Sequence, residues 1–388
     1  MSEPPNKSTI YQLELGSSEL NRRRRSLGII AVAILLAVAL ETWYDRPMPL
    51  PIVSERVADI AGWSTPSPRN PVGFGYNWLS DDVILACSSD HDGSSGKVFE
   101  FHTSTKRVTL RPDLGSIGAL SGLAPGCQFT RDKRWLLLHH IYSNGRRAYT
   151  STYEVRPLPT GRGLTVDQHV GYDALWLGDG NRYVEWDGSH KPNKPLSIVV
   201  NSLRSDSSGV ETRTLTTSAL SIGRIYNAAT VGNDLIMVGP HLPDELGSVR
   251  YIESCRVDID RGAAVSHPSF IPLPGLCNVT GVAISGDGAR VAILLSQPKI
   301  SGLGWLKAGA LGQYPAVNGP QGRITTLWVC NIDGRNMREL GYSRPRAVSD
   351  MHAAPEGFSD ICDLRWLPSA RAVSFVGDDT LYRIQMAW

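Results

Sequence analysis

A surplus of charge is missing from this 388-residue chain, since 39 Lys and Arg stand against 37 Asp and Glu and leave a formal net charge of +2. Acids and bases are interspersed, so no basic face recommends nucleic acid as a partner. Histidine is sparse, at nine residues. His139 and His140 adjoin on a strand-like run, where neighbouring side chains face opposite ways and do not share a metal. Six cysteines, Cys87, Cys127, Cys255, Cys277, Cys330 and Cys362, include no Cys-x-x-Cys pair, which argues against a zinc site. Both buried free thiols and disulfides fit them. There is no Gly-x-Ser-x-Gly elbow: the nearest string, Gly341-Tyr342-Ser343-Arg344-Pro345, lacks the second glycine. A phosphate loop is missing too, because Gly93-Ser94-Ser95-Gly96-Lys97 has the wrong spacing and sits in a hairpin turn. No catalytic residue is nominated, and no cofactor is expected.

What the chain does have is a repeat. The clearest copy is Val282 to Leu294, VAISGDGARVAIL: an alternating apolar run, a polar turn and a second strand-like run. Other copies centre on Trp78, Phe129, Trp176, Thr230 and Trp366, at a spacing of roughly 47 to 54 residues apart from one interval of about 82. Third strands follow the hairpins, as in Thr325 to Asn336 with its closing Asp333-Gly334 turn. A unit of this kind cannot bury its apolar face alone, and the period points to a propeller. The expectation is an all-β, six-bladed β-propeller of four-stranded blades. Its last blade runs out after three strands, and an N-terminal strand within Pro51 to Ile60 would close the ring and remove an open edge. A β-sandwich or another blade number is the alternative. Trp78, Trp176 and Trp366 recur at one position per repeat and are expected in the core rather than as sugar-stacking platforms.

The clearest copy also resembles a family. Ser285-Gly286-Asp287-Gly288-Ala289-Arg290, followed by LWVCNIDGRNMREL, is similar to the WD-like repeat of TolB-type bacterial propellers, which carries Ser-Pro-Asp-Gly-x at this turn and Asp-Gly before a closing Leu. The resemblance covers residues 70 to 388. In other copies the turn reads LSDD, FTRD, LGDG, VGND or LPSA. The resemblance implies a rigid platform that presents loops to another envelope or membrane protein.

The segment before the repeats is different in kind. Arg22, Arg23, Arg24 and Arg25 precede an uncharged apolar run from Leu27 to Leu40, with Trp43 and Tyr44 just beyond. Arginines are retained on the cytoplasmic side and aromatic pairs suit a membrane interface. The expectation is therefore a single-pass protein with a cytoplasmic tail at 1–25, a transmembrane anchor at 26–44, a proline-rich linker with the closing strand at 45–69, and a periplasmic or extracellular propeller at 70–388. Ala37-Val38-Ala39 resembles a cleavage site, so a signal peptide and a secreted ring are the alternative.

Two features stand out from the repeat. An insertion at 297–323 is apolar and glycine-rich without strand alternation, and long loops in compact domains are commonly functional. Its Leu303, Trp305, Leu306, Leu311 and Tyr314 are candidate anchors for a partner. Asp90-His91-Asp92-Gly93 groups oxygens around a glycine turn, so Asp90 and Asp92 are candidate calcium ligands, although a solvated hairpin turn accounts for the same letters. Three functions compete: a non-enzymatic interaction platform, which leads; a propeller enzyme such as a lactonase, cyclotransferase or glycan-active protein with its site at the central channel; and a sensor of carbohydrate or another small ligand.

Overall fold

A computed structural model of the chain describes residues 22, 24–37, 39, 52, 54–60, 76–87, 98–112, 127–130, 134–143, 149–157, 164–166, 172–187, 191, 193–204, 209–222, 225–240, 249–264, 268–298, 323–343, 361–377 and 380–386. The chain divides into two compact units, one of residues 1–49 with 298–322 and one of 50–297 with 323–388.

In the first unit the described residues form a helix over 24–37, with Leu27, Ile29 and Leu35 more than half exposed. No helix among the described residues is long and apolar enough to cross a membrane. That overturns the transmembrane anchor expected at 26–44, and with it the single-pass localisation. Arg22, Arg24 and Arg25 are helical, whereas Arg23, Trp43 and Tyr44 fall outside the described residues.

The second unit is all β. Its strands are β1 (Glu55–Asp59), β2 (Tyr76–Trp78), β3 (Val83–Cys87), β4 (Val98–His102), β5 (Arg107–Leu110), β6 (Cys127–Phe129), β7 (Trp135–Ser143) and β8 (Tyr149–Pro157). They continue with β9 (Leu164–Val166), β10 (Tyr172–Trp176), β11 (Arg182–Asp187), β12 (Lys194–Leu203), β13 (Val210–Leu220), β14 (Asn227–Val231), β15 (Asp234–Pro240) and β16 (Val249–Asp258). The rest are β17 (Ala263–Ala264), β18 (Ser269–Ile284), β19 (Arg290–Pro298), β20 (Arg323–Asn331), β21 (Arg338–Ser343), β22 (Ile361–Trp366), β23 (Ala372–Gly377) and β24 (Thr380–Gln385).

They form a β-propeller of five sheets, not the six separate blades expected. Four sheets have four strands: β2 to β5, β6 to β9, β10 to β13, and β1 with β24, β23 and β22. The remaining sheet runs β14, β15, β16, β18, β19, β20, β21, with β17 at its side. The cause is β18. Its first half pairs with β16 and its second half with β19, so two sequence copies share one ladder. Pro272, Pro274 and Gly275 lie within this 16-residue strand. Its register slips twice, against β16 between Pro272 and Cys277 and against β19 between Val279 and Gly281.

Apolar side chains fill the spaces between neighbouring faces. One cluster joins β10–β13 to the first half of the large sheet, through Val184, Trp186 and Ile198 against Leu235 and Met237. A second lies between the two halves of that sheet, with Ile236 and Ile252 facing Ile284 and Ile293. The chain ends of the unit meet in the last sheet, where β1 runs antiparallel to β24. That sheet packs on the first one through Val57, Ile60, Trp78, Ile84 and Val376.

Candidate functional site

The turns joining first to second strands and third to fourth strands come together on one side of the propeller, and they are tied by a recurring backbone hydrogen bond. Immediately before five of the second strands, β3, β11, β15, β19 and β23, stands a residue whose carbonyl accepts an N–H from the end of the third strand. Thr103 donates to Asp82 (2.8 Å), Leu203 to Asn181 (2.9 Å), Ile259 to Asn233 (3.1 Å), Ile332 to Ala289 (2.8 Å) and Met386 to Arg371 (2.8 Å). The bond uses main chain only, so it persists although the turn sequences differ. Further bonds join turns of successive repeats: Gly178 N–H to the Gly232 carbonyl (2.9 Å), Arg290 Nη1 to the Ala370 carbonyl (2.9 Å), and Ser369 N–H to Asp81 Oδ1 (3.0 Å). These three bonds link neighbouring turns into a rim.

Acids on the rim are occupied by the turns themselves. Asp179 Oδ1 accepts the N–H of Asn181 and Arg182, and Asp258 Oδ1 those of Asp260 and Arg261. Thr103 and Ser104 hydrogen-bond Asp82 and hold its carboxyl below the usual range. In the TolB-like turn, Ser285 accepts the Arg290 N–H (3.0 Å), while Asp287 accepts from Ala289 (3.0 Å) and from the Ser285 hydroxyl (2.5 Å). Burial pushes the Asp287 carboxyl up, but those bonds and the Arg290 charge outweigh it and the net shift is downward. The motif that carries the family resemblance is thus a turn-forming device.

One ionic cluster bridges two sheets at the rim. Arg182 reaches Asp179 and Asp260, each at 2.6 Å, and Asn233 Nδ2 donates to the other Asp260 oxygen at 2.7 Å. These bonds, led by Arg182, hold Asp260 below its ordinary range.

Beneath the rim, the recurring tryptophans act as staples. Trp78, Trp176 and Trp366 are at most 8% exposed. Each indole N–H crosses to a neighbouring sheet: Trp78 to Ser374 Oγ (2.9 Å), Trp176 to the Gln128 carbonyl (3.0 Å) and Trp366 to the Ala283 carbonyl (2.9 Å). They are core, as expected, and offer no open stacking face. At the seam between last and first sheets, Arg365 pairs with Asp363 (2.9 Å) and lies over the Tyr76 ring, whose carbonyl it also contacts. Asp363 itself has a φ of 50° at the register shift of β22.

A second polar group is buried inside the β10–β13 sheet. Asn201 Nδ2 donates to Glu185 (2.7 Å) and Thr212 donates to Asn201 Oδ1 (2.8 Å). The Tyr183 hydroxyl, fully buried, has no hydrogen-bond partner among the described residues, and burial aided by Glu185 pushes its ionisation upward. Cys255 and Cys330 are buried free thiols, each pushed up to about 12 by burial.

The insertion anchors Leu303, Trp305, Leu306, Leu311 and Tyr314 lie outside the described residues, as do Asp90 and Asp92. Among the described residues no group of three or more His, Cys, Asp or Glu is placed to hold a metal. Sequence reading missed the rim bond, whose only outward sign is a short polar residue before several second strands: Asp82, Asn181 and Asn233.

No protein-family model matches the chain, and no curated protein matches it either. Among solved structures it is similar to a protein assigned as TolB from Agrobacterium tumefaciens, at 13% identity and a TM-score of 0.44, covering 81% of this chain and 90% of that one. It is also similar to the Cps50 (Swd1) β-propeller domain of Myceliophteria thermophila, at 10% identity and 0.44, covering 86% and 100%. Hydrazine synthase of Kuenenia stuttgartiensis gives 14% identity and 0.43, covering 82% and 74%. These are resemblances of arrangement, at identities that say nothing of function.

Proposed function

We propose that the propeller is a protein-interaction platform of the TolB-like kind, which binds another protein through its rim and through the inserted segment rather than turning over a substrate. The observation that carries this reading is the recurring main-chain bond from Thr103, Leu203, Ile259, Ile332 and Met386, which in five repeats ties the turn before the second strand to the end of the third. A surface fixed by its own backbone loses little conformational freedom on binding, and that is the condition for affinity from a modest contact area. The rim acids are spent on capping and cross-sheet pairing, so they serve shape. Leu303, Trp305, Leu306, Leu311 and Tyr314 supply the apolar anchors, with Trp305 the strongest because aromatic residues dominate interface energetics.

The test is crosslinking capture from the native source with a C-terminally tagged full chain, beside a variant lacking Gly302 to Gly319 and the Trp305→Ala variant. One protein retained by the wild type, lost on deletion and weakened roughly thirtyfold by Trp305→Ala, about 2 kcal/mol, is the expected result. No protein retained above a denatured-chain control defeats the reading. Equal capture by all three chains removes the insertion from it.

A further inference from the structure

The outer strands β1, β5, β9, β13 and β21 each pair on one side only among the described strands, and they differ in length and regularity. An unpaired strand edge is a template for pairing with another chain, and proteins blunt it with short strands, bulges or Pro. Strand β9 has three residues and β5 has four. Strand β1 has five, with a register shift between Arg56 and Ala58. Strand β21 has six, set against a register shift at Leu327 and Trp328. Strand β13 is longer than all of these, and its own register shift lies beyond Thr216. It has 11 residues, pairs among the described strands only with β12, and keeps unbroken register from Val210 to Thr216. That stretch holds no Pro and no Lys, and Val210, Thr212, Thr214 and Thr216 are β-branched, which suits a pleated edge.

Its charges are symmetric as well. Glu211 and Arg213 flank Thr212, and all three are exposed. In an antiparallel pairing of two copies about an axis through Thr212, Glu211 of each copy stands opposite Arg213 of the other, so one strand supplies two attractive cross-strand pairs. Val210 then faces Thr214. This is the self-complementary arrangement that a two-fold interface demands. The same side chains are only loosely engaged within one chain: Glu211 is 3.5 Å from Arg204 and Arg213 is 3.8 Å from Asp260, all four largely exposed, and Arg213 also donates to the Ile259 carbonyl at 3.0 Å.

We propose that β13 is a homodimerisation edge, through which two copies of the chain join their third sheets antiparallel about Thr212. The proposal rests on the edge and its charges, and stands apart from the platform reading.

Sedimentation of the full chain over a concentration series tests it, with Glu211→Arg, Arg213→Glu and the double variant carrying both. The wild type should dimerise. Each single reversal puts like charges opposite each other twice and should weaken self-association about tenfold or more. An equimolar mixture of the two single variants should recover the dimer, because a strand basic at both positions then meets one acidic at both. The double variant, complementary to itself, should dimerise like the wild type, which keeps the test open if one single variant folds poorly. A chain that stays monomeric overturns the proposal. So does a dimer that neither reversal weakens, since that places the contact elsewhere, for example on the exposed apolar helix at 24–37. Failure of both the mixture and the double variant to restore pairing overturns it as well.

Discussion

The guanidinium of Arg365 stands 4.4 Å from the centre of the Tyr76 ring, 289 residues away in sequence, and so joins the last sheet of the propeller to the first. Its charge is matched by Asp363, and both side chains are at most 14% exposed. Removing one member of a buried pair leaves the other desolvated and unmatched, which typically destabilises by about 3 kcal/mol or more. Arg365→Leu should therefore lower the unfolding free energy, read by chemical denaturation, by that amount. Adding Asp363→Asn to it should recover part of the loss. If the single variant unfolds like the wild type, the seam is held by its apolar cluster alone.

Trp176 is held differently. Its ring meets Tyr183 edge-on at 5.4 Å, its N–H donates to Gln128, and Gln128 Nε2 returns a bond to the Ala174 carbonyl at 2.8 Å. Trp176→Phe preserves most of the apolar volume and deletes one buried donor, so a loss of about 1 kcal/mol is expected. Trp176→Ala adds a cavity and should lose about 3 kcal/mol or more. Equal losses in the two variants, read by thermal unfolding, would show that the indole N–H bond matters more than the packing of the ring.

These two cases show what the sequence makes legible. An aromatic recurring before each turn is a side-chain signal, and it marked Trp78, Trp176 and Trp366 correctly as core. The rim bond is made by main-chain atoms of residues as unlike as Thr103, Leu203 and Met386, so no side-chain pattern announces it. The blade count failed at β18, because one 16-residue strand pairs with β16 through its first half and with β19 through its second, and so carries one repeat's sheet into the next. The anchor expected at 26–44 failed because no helix among the described residues is long and apolar enough to cross a membrane. The open edge of β13 is visible only by comparison, once the other outer strands are known to be short or bulged.

Gly288 lies at a φ of 66° in the TolB-like turn, in the left-handed region that glycine enters without strain. A Cβ there would come within 2.4 Å of Ile236 Cδ1 and 2.7 Å of Val231 Cγ2, across the space between the two halves of the large sheet. Backbone strain and overpacking together should destabilise Gly288→Ala by about 2 to 4 kcal/mol. An Ile236→Val change in the same chain should relieve some of it. Denaturant midpoints of the single and double variants decide the matter, and additive losses would mean the clash is absent.

Glu339 supplies a pH dependence of a definite sign. Its Oε1 is buried without a hydrogen-bond partner among the described residues, and burial raises its carboxyl above the ordinary value. The folded state therefore binds its proton at a higher pH than the unfolded state does. Stability falls as pH rises from the unfolded value near about 4.3 through the folded one, and the deficit persists at neutral pH. Glu339→Gln removes the charge and keeps the shape. It should match the wild type at about pH 4 and exceed it at neutral pH, by less than about 1 kcal/mol because the side chain is only partly buried. Denaturant midpoints of the two proteins across that range provide the measurement. A glutamine variant less stable than the wild type at neutral pH would mean that the carboxylate is being stabilised in the fold, and the sign would reverse.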